Sequence, residues 1–498
     1  MEQRRDAVTS GYATLSWKQA FRQLVGQVGV YGFGNALQRL GAFVLLPLYL
    51  WRLSPEEYGL LALVGLLPFV LPQVILLGLP TTITRYYYDW TRDGSAANNL
   101  GVIWAVATGS ALTATVLLDQ FGESLLRQTL TQVPFEPHGR LGLWWAFFAS
   151  LSLCPMMLLR IQEMGRAYVM VSQISFFLGS GLNAWAVLAG WGVVGILWMQ
   201  VISSACVGLL LSGWYLTNVA FQCSGSHIVR ALRLALPLVP SALLEAMASR
   251  ADRFFLDKWI SLQEIGLYAL ANQLGQGVKF FYDSIKPAWI PFYIRVAGER
   301  GDARDFLGRA ITFYVAALGC VALAVLLFGP VVVEWFGKGG RFDQALPLLP
   351  ILVGGFFLQG LVPLGSMAVL VAERTVWHLI IQTIQLLVVI GVNLSLTQQL
   401  GAVGAAWSLL VACGVQAGLY MGVGQQVYSV RLEWPRLGAL VAGGAVAGVL
   451  AISFASAGIA VKSLWLLAYV GWVFGVVYRR GDFGLSAGVP ASENVRKA

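Results

Sequence analysis

Apolar runs of roughly 20 residues, each closed by charged, glycine or proline residues, follow one another along nearly the whole chain. A run of that length is what one helix needs to cross the hydrocarbon core of a bilayer. Fourteen spans are expected. The first seven cover Leu24 to Leu50, Gly59 to Thr84, Leu100 to Leu118, Gly142 to Leu159, Tyr168 to Gly190, Val194 to Leu216 and Ala231 to Leu256. The others cover Ile265 to Ile290, Gly308 to Pro330, Leu346 to Val371, Trp377 to Thr397, Ala402 to Val427, Leu437 to Ser456 and Ser463 to Tyr478. With 57% hydrophobic and 11% charged residues, an all-α polytopic membrane protein is the fold class to expect, and a water-soluble fold is excluded. Met1 to Lys18 is polar and basic with no small-residue cleavage site after it, so no cleavable signal peptide is expected.

The basic residues divide unevenly between the connections. If the N-terminus is cytoplasmic, inner segments hold 21 Lys and Arg, counting Arg233 and Arg309 at the inner mouths of their spans, outer segments hold 7, and five lie deeper within spans. Loops rich in these residues stay inside, so both termini are expected in the cytoplasm. The net charge of +9 is scattered singly between apolar runs, which argues against a nucleic-acid partner. Cys154, Cys206, Cys223, Cys320 and Cys413 are too dispersed for a disulfide framework or a metal site, and His138, His227 and His378 stand alone. No P-loop or HExxH pattern occurs, and neither an ATP-driven nor an enzymatic role is expected. The sequon at Asn393 and the Gly444/Gly448 pair lie in spans and read as ordinary helix features.

An internal repeat organises the spans. Leu53 to Leu63 (LSPEEYGLLAL) returns as Ile260 to Leu270 (ISLQEIGLYAL), with Ser54/Ser261, Glu57/Glu264, Gly59/Gly266, Leu60/Leu267, Ala62/Ala269 and Leu63/Leu270 identical at an offset of 207. Gly192 to Trp198 returns as Gly401 to Trp407 at an offset of 209. Six spans per repeat is an even number, so both copies enter the membrane from the same side, as a parallel repeat. The expected organisation is a cytoplasmic segment (1–22), an N-lobe (23–217), a C-lobe (228–428), helices 13 and 14 (436–480) and a cytoplasmic tail (481–498). The repeated loops at Ser54 and Ser261 are expected to close the outer side of the cavity between the lobes.

Charge inside the membrane is the candidate site, because an ionised group at the bilayer centre costs about 2.5–3.5 kcal/mol on insertion scales. The first span aligns Gln27, Tyr31, Asn35 and Arg39 at steps of four, and the seventh carries Glu245, Arg250, Asp252 and Arg253. In the eighth, Tyr268, Asn272, Gln276, Lys279, Asp283 and Lys286 draw one polar stripe along a helix. Both stripes are expected to face one central cavity. Five bases (Arg39, Arg250, Arg253, Lys279, Lys286) exceed three acids (Glu245, Asp252, Asp283), and a net positive cavity suits an anionic ligand such as diphosphate. Internal ion pairs are the plainer alternative: Arg253 with Asp252 or Asp257, and Asp283 with Lys279 and Lys286. The three acids are the candidates for Na⁺ or H⁺ coupling. No other cofactor is expected.

The runs LLPLYLWRLSPEEYG (ending at Gly59), LGLPTTITRYYYD (Leu77 to Asp89), LPLVPSALLEAMASRADRFFL (Leu236 to Leu256) and EIGLYALANQLG (Glu264 to Gly275) resemble polysaccharide flippases of the multidrug/oligosaccharidyl-lipid/polysaccharide exporter superfamily. The resemblance spans roughly Phe21 to Val427. It implies alternating access by two six-helix lobes and an undecaprenyl-diphosphate-linked oligosaccharide as substrate, in a bacterial inner membrane and beside polysaccharide polymerase machinery. The lipid II branch of that superfamily carries several bases in its first helix, whereas only Arg39 stands there in this chain. A cation-coupled multidrug exporter of the same fold would want an acidic or aromatic cavity. A membrane-embedded glycan polymerase or ligase would want a large outer loop, which this chain lacks.

Overall fold

The computed structural model describes residues 45–477 apart from 163, 221–228, 230, 231, 234, 237, 300–302, 372, 373, 375 and 454–456. The described chain is helical throughout, and eleven helical segments are long and apolar enough to cross a membrane. The first expected span lies mostly outside the described residues. The helices at the seventh and eighth positions, of 22 and 38 residues, are long enough to span but carry the charges noted above.

The N-lobe consists of α1 (45–52), α2 (Pro55–Val64), α3 (Leu67–Ile75), α4 (Leu79–Arg92), α5 (Ala96–Phe121), the short α6 (Glu123–Thr129), α7 (Arg140–Leu151), α8 (Leu153–Ile161), α9 (Gly165–Leu188) and α10 (Gly192–Leu216). The C-lobe consists of α11 (Leu238–Trp259), α12 (Leu262–Glu299), α13 (Ala303–Phe336), α14 (Leu349–Val371), α15 (Val376–Val392) and α16 (Ala402–Val427). Pairings recur between the lobes: α10 packs on α7 and α9 in the first, and α16 on α14 and α15 in the second. The last two helices, α17 (Trp434–Ser453) and α18 (Ile459–Val477), lie against α13 through Leu323, Leu440, Ala447 and Tyr469. Gly444 and Gly448 serve this packing, facing Tyr469 and Leu326.

The repeated motifs have a physical job. Ser54 caps α2 reciprocally: its hydroxyl accepts from Glu57 N at 3.2 Å while its own N–H donates to the Glu57 carboxylate at 2.8 Å. Ser261 accepts from Glu264 N at 3.3 Å at the start of α12, the counterpart of one half of that cap. The two glutamates then reach the second repeated motif, Glu57 lying beside Gly192 and Glu264 beside Gly401. Both glycines hold positive φ (61° and 58°), a conformation that side chains disfavour, where α10 and α16 begin. Within each lobe the two repeats therefore meet.

Between lobes they meet again. Helices α2 and α12 cross so closely that a methyl group on Gly59 would overlap the Leu262 carbonyl, and one on Gly266 would overlap the Pro55 carbonyl. Pro55 and Leu262 are themselves 207 residues apart, so equivalent positions exchange equivalent contacts. This crossing, beside the repeated loops at Ser54 and Ser261, is the main seam between the lobes. Outward-facing apolar side chains such as Met170, Leu210, Leu387, Leu464 and Leu467 cover the perimeter, as a lipid solvent requires.

Candidate functional site

Helix α11 brings the basic pair to the seam. It departs from helical geometry at Arg250 (φ −139°, ψ 17°), and from there its side chains meet the opposite lobe. The Arg250 guanidinium stacks over the Phe69 ring of α3, 4.3 Å from its centroid. Arg253 Nη1 donates to the Ala62 carbonyl of α2 at 3.1 Å. Both arginines thus stand at the lobe interface, and neither is in a salt bridge among the described residues.

The alternative pairing of Arg253 with Asp252 or Asp257 is not what forms among the described residues. Asp252 instead accepts from the Tyr268 hydroxyl at 2.6 Å, joining α11 to α12. Asp257, one turn beyond Arg253, turns away toward the loop after α6 and accepts from Thr131 N, Thr131 Oγ1 and Gln132 N. The reason is local. A carboxylate in the last turn of a helix faces the negative end of the helix dipole, and two backbone N–H donors offset that cost. The Gln132 side chain adds bonds to the Asp257 and Ile260 carbonyls, satisfying acceptors that the helix end leaves open. A stretch expected to be mere connection is therefore a clasp between the lobes. Neither Thr131 nor Gln132 carries a sequence signal, since a short polar loop between spans reads as solvent-facing.

The α12 stripe is graded. Tyr268 is buried, not cavity-lining; Asn272 accepts from Gln276 at 3.0 Å, and both are half-buried. Lys279 lies within electrostatic reach of Cys413 on α16, Asp283 within reach of Tyr314 on α13, and Lys286 is exposed. Gln27, Tyr31, Asn35 and Arg39 lie outside the described residues, as does the side chain of Glu245.

A second feature sits in the N-lobe. A cavity of about 420 Å³ opens between α1, α7, α9 and α10, lined by Tyr49, Tyr58, Asn183, Gln200, Ser203 and, from the C-lobe, Gln273. No charged side chain lines it among the described residues.

The remaining polar groups in the spans are structural. Asn393 is buried and bonds Val389 O and Ser408 Oγ, and His378 Nδ1 pairs with the Tyr420 hydroxyl at 2.9 Å. Four cysteines are free thiols, Cys223 lying outside the described residues. No cluster of potential metal ligands occurs among the described residues.

With this arrangement in view, residues 51–338 match the family described as polysaccharide biosynthesis protein, more than half of the chain. The chain belongs to that family. Its fold is shared with the lipid II flippase MurJ in an inward closed conformation, at 12% identity and a TM-score of 0.72 over 90% of this chain and 99% of that one. It is shared also with an inward-facing multidrug resistance MATE family transporter of the MOP superfamily, at 18% identity and a TM-score of 0.61 over 82% and 99%. No curated protein matches the chain in sequence. The protein is thus a multi-pass membrane protein of the MurJ and MATE fold, in a polysaccharide biosynthesis family, and its known neighbours are transporters and flippases.

Proposed function

We propose that this family member flips an undecaprenyl-diphosphate-linked oligosaccharide across the cytoplasmic membrane for cell-surface polysaccharide assembly. The observation that carries the reading is the position of Arg250 and Arg253. Two guanidiniums three residues apart stand on a kinked helix at the lobe interface, partnered by an aromatic face and a backbone carbonyl. Both partners are weak competitors for a dianion, whose oxygens accept bidentate, charge-assisted hydrogen bonds from arginine. Arg39 and Lys279 would complete the cationic set, with Lys286 at the exposed end of the stripe.

In this reading substrate binding and lobe movement are one event. A diphosphate that draws Arg253 off the Ala62 carbonyl removes a bond between α11 and α2, loosening the seam. The Lys/Arg bias supports cytoplasmic termini, and it places the seam at the outer side of the membrane. The protein works by alternating access, without enzymatic chemistry.

Arg250→Ala should abolish glycan export at normal protein levels, while Arg250→Lys, which keeps the charge and loses the fork, should retain part of it. Wild-type export by well-expressed Arg250→Ala protein would remove this residue from the site. A multidrug exporter would instead protect cells from organic cations, and this same variant would leave that protection unchanged.

A further inference from the structure

We infer that the N-lobe cavity is a subsite for the uncharged sugars of the substrate, next to the site for its diphosphate. The inference rests on the flippase reading and adds what the substrate must look like.

The lining is matched to a polyhydroxylated, neutral group. Hydrogen-bonding side chains come from five helices: Tyr49 on α1, Tyr58 on α2, Asn183 on α9, Gln200 and Ser203 on α10, and Gln273 on α12. Among the described residues, Gln200 and Gln273 make no side-chain hydrogen bond, which leaves donors and acceptors of both kinds open in a membrane-spanning region. Asn183 is decisive. It is only 3% exposed and bonds the Tyr49 hydroxyl, yet its Oδ1 has no partner. A buried amide oxygen without a donor costs about 1–3 kcal/mol, so it is kept where something else supplies the donor. The rings of Tyr49 and Tyr58, centroids 6.4 Å apart, give the apolar surface on which a pyranose can lie. The volume falls within the range of about 300–1,000 Å³ typical of small-molecule pockets.

Its place relative to the arginines completes the argument. Tyr58 lies within electrostatic reach of Arg253, and Gln273 reaches into the cavity from the C-lobe. A diphosphate held at the arginine pair would therefore lie beside the cavity. No cation stands among the described lining residues, so a hexose or N-acetylhexosamine fits them, whereas a uronic acid would find no counter-charge there.

Native mass spectrometry of the detergent-purified protein decides the matter. The probes are undecaprenyl diphosphate alone, the same lipid with one glucosyl, galactosyl or N-acetylglucosaminyl head, and the same lipid with a glucuronosyl head. At least one neutral head should tighten binding about five-fold or more over the sugar-free lipid, the value of one to two hydrogen bonds, and the acidic head should not. Asn183→Leu and Gln200→Met should each erase that preference while leaving the sugar-free lipid bound as before. Equal binding of all heads by the wild type would overturn the sugar subsite and leave the flippase reading standing. So would a loss in both variants that is the same for sugared and sugar-free lipids. If no undecaprenyl diphosphate binds at all, the flippase reading falls, and the subsite with it.

Discussion

Asp257 shows how a single residue can be misjudged from its neighbours in the chain. Its spacing of four from Arg253 suggests an ion pair, yet the carboxylate is claimed by two backbone N–H groups and a hydroxyl 126 residues away. It is buried at 1% exposure, so removing it would leave the Thr131 and Gln132 N–H groups without an acceptor. Asp257→Ala should weaken the closed seam by about 2–3 kcal/mol and populate a form in which the lobes part. Spin-label distances between Glu56→Cys and Gln263→Cys, in a Cys206→Ser, Cys223→Ser background, read this directly. An unchanged distance distribution would show that the clasp does not hold the seam. Among the acids inside the spans, Asp252 is already engaged by Tyr268, which leaves coupling to an ion to be tested residue by residue. Replacing Glu245, Asp252 and Asp283 by their amides should lower gradient-driven transport at one position or more; unaltered transport in all three would mean that flipping is uncoupled from these acids.

At the scale of elements, the crossing of α2 and α12 explains why the repeat was visible at all. Ser54, Glu57 and Gly59 recur as Ser261, Glu264 and Gly266 because each pair performs one operation: capping, reaching a helix start, and admitting another backbone. Gly59→Ala should therefore overpack the seam, at a cost of about 1–3 kcal/mol, and Gly266→Ala should do the same. Both should lengthen the distance between labels at positions 56 and 263. A seam that stays closed in both variants would mean that the helices can slide at no cost. The charged spans were legible for the same reason: ionised groups where lipid forbids them are a strong signal. The N-lobe cavity was not. Asn183, Gln200 and Ser203 are single polar residues on separate helices, each unremarkable in its own sequence window, and only folding collects them. The clasp at Thr131 and Gln132 was hidden likewise, since its partner lies in the other lobe.

For the molecule as a whole, the arrangement of spans could be read from apolar runs, because a bilayer leaves a chain few alternatives to the helix. Sidedness is a separate matter and rests on the distribution of Lys and Arg. Labelling of Ser95→Cys and Ser492→Cys by a membrane-impermeant thiol reagent should fail in intact cells and succeed in inverted vesicles. Labelling of either from outside would reverse the orientation and move the seam to the inner side.

The exchange of contacts between Gly59 with Leu262 and Gly266 with Pro55 is isologous, the pattern by which two identical subunits join about a twofold axis. The two halves of this chain therefore meet as a tethered homodimer would. Such an interface constrains its own sequence drift: a bulkier residue at Gly59 presses on Leu262 and Gly266, and one at Gly266 on Pro55 and Gly59, so the two positions, 207 residues apart, are held small together. The rest of each half is free of that bond, and there the halves have diverged, one toward the kinked, arginine-bearing α11 and the other toward a cavity with no charge among its described lining residues. An ancestral pair of equal halves would have offered each chemistry twice; on the proposed reading, the fused chain holds two different groups of one substrate at once.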